Sequence, residues 1–392
     1  MKLFRCDFCG NTIYFENVVC ESCGHQLGYQ PSENTMPSLE VQNAPEGAGN
    51  LVSLQPAGNN VWASTKNPAK TYVFCANAQH GACNWLVEYN PGADPFCKAC
   101  RHNELVPPLD DPLNVERWQV IERAKKRLMY SLLQFGLPLL TRDEDPQHGL
   151  AFRFLAEAAS QTPVMTGHEN GIITLALSEA DDAEREYRRQ QFHEPYRTLL
   201  GHLRHEVGHH YWDLLVDTGG PEIDEFRKLF GDEREDYGEA LKRHYAQGAP
   251  SDWQANFISA YATAHPWEDF AETWAHFLHV ADTVEMASAF GVKVAPKVDQ
   301  NHDMTGTIDF RPYRTANIGE LIENWIPLAS LMNNLNRAIG QPDPYPFILT
   351  PAVIEKLGYI QRLVFEAGQK PQVYVPPPLP SGASAPPPLP QN

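Results

Sequence analysis

Two histidines and a glutamate stand in the run His205-Glu206-Val207-Gly208-His209. On a helix, residues four apart project from one face, so both imidazoles can present a ring nitrogen to a single zinc ion. Glu206 then lies one step around the helix, beside the metal, where it can take a proton from a water bound there. Zinc eases that loss by lowering the pKa of bound water toward about 7, and the resulting hydroxide attacks a carbonyl that the same ion polarises. The chemistry is hydrolysis of an amide. The motif is short, and a chain with 15 histidines and 49 acidic residues can produce it by chance, so its surroundings must support it.

The positioning element is a helix predicted over 195–216, with Pro195 tolerated in its first turn and Leu199, Leu200, Leu203 and Val207 forming a core-facing side. A catalytic zinc takes three protein ligands and keeps a fourth position for water. The metzincin solution needs a glycine at position 212 and a histidine at position 215, whereas this chain has Trp212 and Leu215. An acidic ligand on a later helix remains. Glu268 and Glu272 lie four apart on a helix that His265-Pro266 would start, so one can bind zinc while the other hydrogen-bonds a ligating histidine.

The stretch Glu268-Asp269-Phe270-Ala271-Glu272, with Tyr261 seven residues before Glu268, resembles the third-ligand segment of the anthrax lethal factor group of gluzincins. The resemblance implies Glu268 as third zinc ligand, Glu272 as the group orienting a ligand, and Tyr261 as a phenol stabilising the oxyanion. Over about residues 1–370 the chain is also similar to a family of bacterial zinc-binding metallopeptidases. These pair an N-terminal zinc ribbon with a catalytic domain whose His-Glu-x-x-His runs on through a Trp-Asp pair, here His205 to Asp213. The 58 residues between His209 and Glu268 exceed the compact gluzincin spacing, and the acidic, helical insert 217–260 could wall or cap the cleft.

All eight cysteines fall within the first 100 residues. Cys6, Cys9, Cys20 and Cys23 form two Cys-x-x-Cys turns, the spacing of a four-thiolate structural zinc site in a ribbon of about 1–30. Cys75, Cys83, Cys97 and Cys100 suggest a second such module over 69–108, in which His80 or His102 could replace a cysteine. The expected cofactor is therefore Zn2+, one ion catalytic and two structural. Residues 31–68 lose periodicity and read as a linker, and 112–370 as the catalytic domain. The tail 371–392 repeats Pro-Pro-Pro-Leu-Pro and reads as disordered and proline-rich. The fold class expected is α+β, mainly helical and zincin-like, with a small antiparallel sheet, preceded by the zinc-ribbon modules. Its strands are predicted at Ala151–Leu155 and Ile172–Leu177, the second after the turn signal Asn170-Gly171 and compatible with either an edge that pairs with substrate or an ordinary internal position.

The formal net charge of -18, with 6 Lys and Arg against 9 Asp and Glu through residue 105, argues against a nucleic-acid partner. No run nears the roughly 18 apolar residues of a membrane helix, and the start lacks a signal-peptide core, so a cytoplasmic location is expected. His202, His210, His276 and His279 are read as packing or surface histidines, and Asp269 as a solvated neighbour of the site. Asp213 could orient His209 or simply lie on the helix surface. Besides zinc hydrolysis of a non-peptide amide, two functions follow. The first is a zinc-dependent peptidase acting on a peptide or protein substrate. The second is an adaptor that binds a protein partner through its ribbons or proline-rich tail and carries a vestigial motif.

Overall fold

A computed structural model describes residues 2–42, 60–156, 166–191 and 198–370, which form an α+β protein of long helices and several small sheets. The proline-rich tail, Pro195 and much of the segment read as a linker lie outside the described residues. The cysteine-rich part begins with β1 (Phe4–Arg5) and β2 (Thr12–Ile13), an antiparallel pair. A five-stranded sheet follows, built in order from β3 (Gln26–Leu27), β4 (Ser38–Val41), β5 (Trp62–Ser64), β6 (Thr71–Phe74) and β7 (Leu86–Glu88). The segment read as a linker thus supplies two strands, β4 and β5, which join the two cysteine modules in one sheet. Strands of three and four residues are too short to show a period in the sequence. Pairing and the small core of Leu39, Trp62, Tyr72, Phe74 and Leu86 define them instead.

The rings of Phe15, Tyr29 and Trp85 join this region to Tyr130 on α1 (Pro112–Phe135), with Phe15–Tyr29 and Tyr29–Trp85 centroids 4.8 and 4.9 Å apart. Helix α1 starts where Asp111 accepts from Leu113 N and Pro112 occupies the first turn, and it ends at Gly136, whose φ of +68° favours glycine. Its stripe Trp118, Ile121, Leu128 and Leu132 is fully buried, as the periodicity predicts.

The sheet beside the long helices has the order β10-β11-β9-β8, where β8 is Asn103–Leu105, β9 Ala151–Leu155, β10 Gly167–Glu169 and β11 Ile172–Ala176. It is mixed rather than antiparallel. The chain reverses from β9 to β10 and again from β10 to β11, so β11 runs parallel to β9, and β8 also pairs parallel with β9. Because β8 precedes the boundary expected near residue 108, the sheet crosses that boundary. Strand β11 is internal, and one edge is β10, folded back through a turn in which Asn170 and Gly171 both have positive φ, the two-residue hairpin preference.

The helices after the sheet are α2 (Asp182–Gln191), α3 (Leu199–Leu215), α4 (Pro221–Leu229), α5 (Tyr237–Gln247) and α6 (Pro266–Ala289). A short pair, β12 (Lys293–Val294) and β13 (Gly306–Thr307), precedes α7 (Ile318–Ala338) and α8 (Pro351–Gln369). Helix α7 runs on through Pro327; the carbonyl four residues earlier belongs to exposed Glu323, where water can replace the lost donor.

His102 ties the second cysteine module to the sheet by donating from Nδ1 to Leu150 O at 2.8 Å, and burial pushes its pKa down from 6.5 to about 4. Between those values the unfolded chain binds a proton that the folded chain does not, so stability falls as the pH drops through that window and levels off below it. Equilibrium unfolding from pH 7.5 to 4 is expected to show this fall, with a shallower slope in His102→Gln; an identical slope would contradict it.

Candidate metal centre

Helix α3 opens at Thr198, whose hydroxyl accepts from Gly201 N at 3.0 Å, and buries Leu199, Leu203, Val207 and Tyr211. Its other face meets α6. From Arg204 to Trp212 the partners on α6 fall from Asp282 to Trp267, so the two helices run antiparallel. Gly208 permits the approach: a Cβ there would stand 2.9 Å from Ala271 Cα and 3.2 Å from Trp274 Cβ. Helix α6 starts at His265, whose Nδ1 accepts from Trp267 N at 3.1 Å while Nε2 donates to Glu235 O at 3.1 Å. His265 is buried and both its nitrogens are used in structure.

This crossing brings His205, His209 and Glu268 together. His205 Nε2 lies 2.9 Å from Glu268 Oε2 and 3.1 Å from His209 Nε2, and His209 Nε2 lies 3.5 Å from the same Oε2. Donors of a tetrahedral zinc with bonds near 2.05 Å are about 3.3 Å apart. Glu268 is 1% exposed, and its Oε2 has no hydrogen-bond partner among the described residues. A buried carboxylate oxygen facing two imidazole nitrogens with no donor of its own fits a cation.

His205 is oriented from behind: its Nδ1 donates to Glu272 Oε1 at 2.7 Å, and Ser259 Oγ donates to Glu272 Oε2 at 2.6 Å. That bond fixes the tautomer and turns Nε2 toward the cluster. Burial opposes a charge on His205, yet Glu268 and Glu272 hold its pKa well above the ordinary histidine value. His209 is braced instead by the Trp267 ring, with centroids 3.7 Å apart. Asp213 faces His168, its Oδ2 3.9 Å from Nε2, and burial raises its pKa to about 6.

Glu206 is buried, and His202 Nε2 lies 3.1 Å from its Oε1. Burial alone would raise the Glu206 pKa; the bond to His202 and the neighbouring histidines outweigh it and hold the carboxyl at about 2. His202, expected as a packing residue, thus touches the candidate base, with Glu179 Oε2 3.6 Å from its other nitrogen. His210 is buried as expected, His276 donates to or accepts from Tyr345 Oη at 2.9 Å, and His279 contacts Arg204. Asp269 is not solvated: it is fully buried, and Lys356 Nζ donates to its Oδ2 at 2.6 Å, because its side of α6 packs against α8. Tyr261 lies in a 3-10 turn with its ring 5.9 Å from the His205 ring, and burial holds its phenol well above the usual range.

Besides Trp267 and Ser259, two polar neighbours of the triangle escaped the sequence reading. His168, on edge strand β10, lies 6.1 Å from the His209 ring and accepts from Gly171 N at 3.0 Å. Tyr237, at the start of α5, donates to Glu268 Oε1 at 2.6 Å. Neither belongs to a spaced motif, so the sequence carried no signal for them.

Each cysteine set converges as well. Cys6–Cys23 and Cys9–Cys20 sulfurs are 3.7 and 3.6 Å apart, and Cys83–Cys97 sulfurs 3.7 Å, against about 3.7 Å for four thiolates around zinc. Cys75, Cys83, Cys97 and Cys100 are all buried and mutually close, so neither His80 nor His102 takes a cysteine's place. Lys126 from α1 donates to Ala82 O and Glu122 Oε2, both at 2.7 Å, and these sulfurs add to the charge that keeps it protonated.

Residues 114–363 match the family model described as "Putative zinc-binding metallo-peptidase", and residues 3–111 match a zinc-ribbon domain. An uncharacterized protein of Mycobacterium bovis and two of Mycobacterium tuberculosis are each 38% identical over 366 residues, covering 93% of this chain and 96% of theirs. No solved structure matches the chain. Among the described residues, no helix is long and apolar enough to cross a membrane.

Proposed function

The chain belongs to the "Putative zinc-binding metallo-peptidase" family, and from that premise we propose that it is a gluzincin-type peptidase with a zincin-like catalytic domain. The observation that carries the proposal is the buried triangle of His205 Nε2, His209 Nε2 and Glu268 Oε2, its edges 2.9–3.5 Å, with Glu206 one residue from a ligand. His205, His209 and Glu268 would hold zinc, which when bound lowers the pKa of water to about 7 and polarises a carbonyl.

The protein's own groups then divide the work. Glu206 takes a proton from the attacking water and returns it to the departing amine as the C–N bond breaks. His202 holds Glu206 Oε1 and leaves its other oxygen for that water. Tyr261 donates to the oxygen on which negative charge develops. Edge strand β10, which among the described residues pairs only with β11, would offer its outer main-chain groups to an extended peptide beside His209, a mode that tolerates many side chains. The two cysteine clusters, closed and four-thiolate, would hold structural zinc and take no part in the reaction.

Elemental analysis of protein purified without chelators tests the metal assignment. Wild type is expected to carry three zinc ions per chain and His209→Ala two. Two ions in both would remove the peptidase site and leave the adaptor.

A further inference from the structure

The insert between the two active-site helices bonds directly to the metal triangle through Tyr237. Asp232–Asp236 lead into α5, and they are held in place: Arg227 Nε donates to Glu233 Oε2 at 3.0 Å, and Glu235 O accepts from His265. Asp236 caps α5 by accepting from Glu239 N at 2.8 Å, which fixes Tyr237 in the first turn. The Tyr237 ring lies edge-on to His265 and Trp267, centroids 5.3 and 5.8 Å away, and Trp267 in turn lies on His209. The phenol reaches Glu268 Oε1, the oxygen that does not face the imidazoles, at 2.6 Å.

We propose that Tyr237 is a positioning residue for the third ligand: its O–H engages Glu268 Oε1 and leaves Oε2 alone to face His205 and His209. This rests on the reading of that triangle as a zinc site. A carboxylate with both oxygens free can rotate or bind through both, which alters coordination number and weakens the match to a four-coordinate ion. A donor on one oxygen removes that freedom. Tyr237 is 39% exposed, and through its bond to Glu268 the insert becomes part of the metal centre rather than only a wall of the cleft.

Tyr237→Phe removes the hydroxyl and keeps the ring. Competition with a fluorescent zinc chelator is expected to show zinc affinity at this site weakened about 10–100-fold, the usual loss for a group that orients a metal ligand. The two cysteine sites should stay filled. With cobalt(II) in place of zinc, the visible absorption of the variant should change, reporting altered coordination at Glu268. Lys242→Ala serves as a control on the same helix, since its side chain is 75% exposed and pairs with Glu239, and it should leave affinity and spectrum unchanged. Affinity within twofold of wild type and an unaltered cobalt spectrum in Tyr237→Phe would overturn the inference, as would equal changes in Lys242→Ala. Wild type lacking a third zinc would overturn the site assignment as well, whereas three zincs with a silent Tyr237→Phe would overturn this inference alone.

Discussion

Glu206→Gln is expected to lower peptide hydrolysis by about 10²–10⁴-fold while zinc per chain stays at three. Glutamine keeps the size of the side chain and retains an oxygen that can accept from His202, so the buried pocket of Glu206 is preserved. What it loses is the capacity to take a proton. Neither its amide nor its carbonyl is basic enough to accept one from water, and none of the three groups in the proposed ligand set is altered. The fall corresponds to about 3–5 kcal/mol of transition-state stabilisation. The measurement is turnover of a mixed fluorogenic peptide pool, with elemental zinc on the same samples. Unchanged turnover with zinc retained would remove Glu206 from the mechanism. A fall accompanied by loss of zinc would point to collapse of the site and leave the base unassigned.

The second large effect falls on stability. Cys97→Ser should lose one zinc and unfold the cysteine-rich region, whereas Cys9→Ser should lose one zinc with a much smaller change in melting temperature. Cys97 lies in the wholly buried cluster, and its own backbone N–H donates to Cys75 Sγ at 3.4 Å. Trp85 N donates likewise to Cys83 Sγ at 3.4 Å, and the buried Trp85 ring lies against Tyr29 in the aromatic joint that reaches Tyr130. Structural zinc contributes on the order of 10–16 kcal/mol in small modules, comparable to the whole stability of a domain. Loss of that ion therefore reaches α1. Cys9, by contrast, is exposed, at the outer end of the first cluster. Thermal melts with zinc counts decide the matter, and equal melting temperatures for the two variants would show that the inner cluster does not hold the joint.

Several parts of this protein were legible in its residues because they are local. The Cys-x-x-Cys turns announce thiolate ligation, since two sulfurs three residues apart can chelate one ion. The pair His205 and His209 announces a shared ligand, since four residues make one helical turn. The buried stripe of α1, Trp118, Ile121, Leu128 and Leu132, was legible because it is long and its ends are marked by Asp111 and Gly136. The strands β4 and β5 were not, because three or four residues in a Pro- and Gly-rich stretch leave no period to read.

The choice between Glu268 and Glu272 shows where local information ends. Both stand on one helix, four apart, and the spacing allowed either to bind metal; only the likeness to a known segment favoured Glu268. The packing of α3 on α6 at Gly208 puts Glu268 against both imidazoles and sends Glu272 to the far nitrogen of His205. Asp269, between them, turns to Lys356 on α8 for the same reason of direction. His168, His202 and Tyr237 acquire their places in the same way. Each meets its partner through a hairpin, a helix turn or an inserted helix whose position depends on the core, and a one-dimensional sequence does not encode such distances directly. Residue types and spacing determined which chemistry this chain could hold. The tertiary structure decided which side chains surround that chemistry, because buried carboxylates and imidazoles must find partners among whatever the packed helices bring within reach.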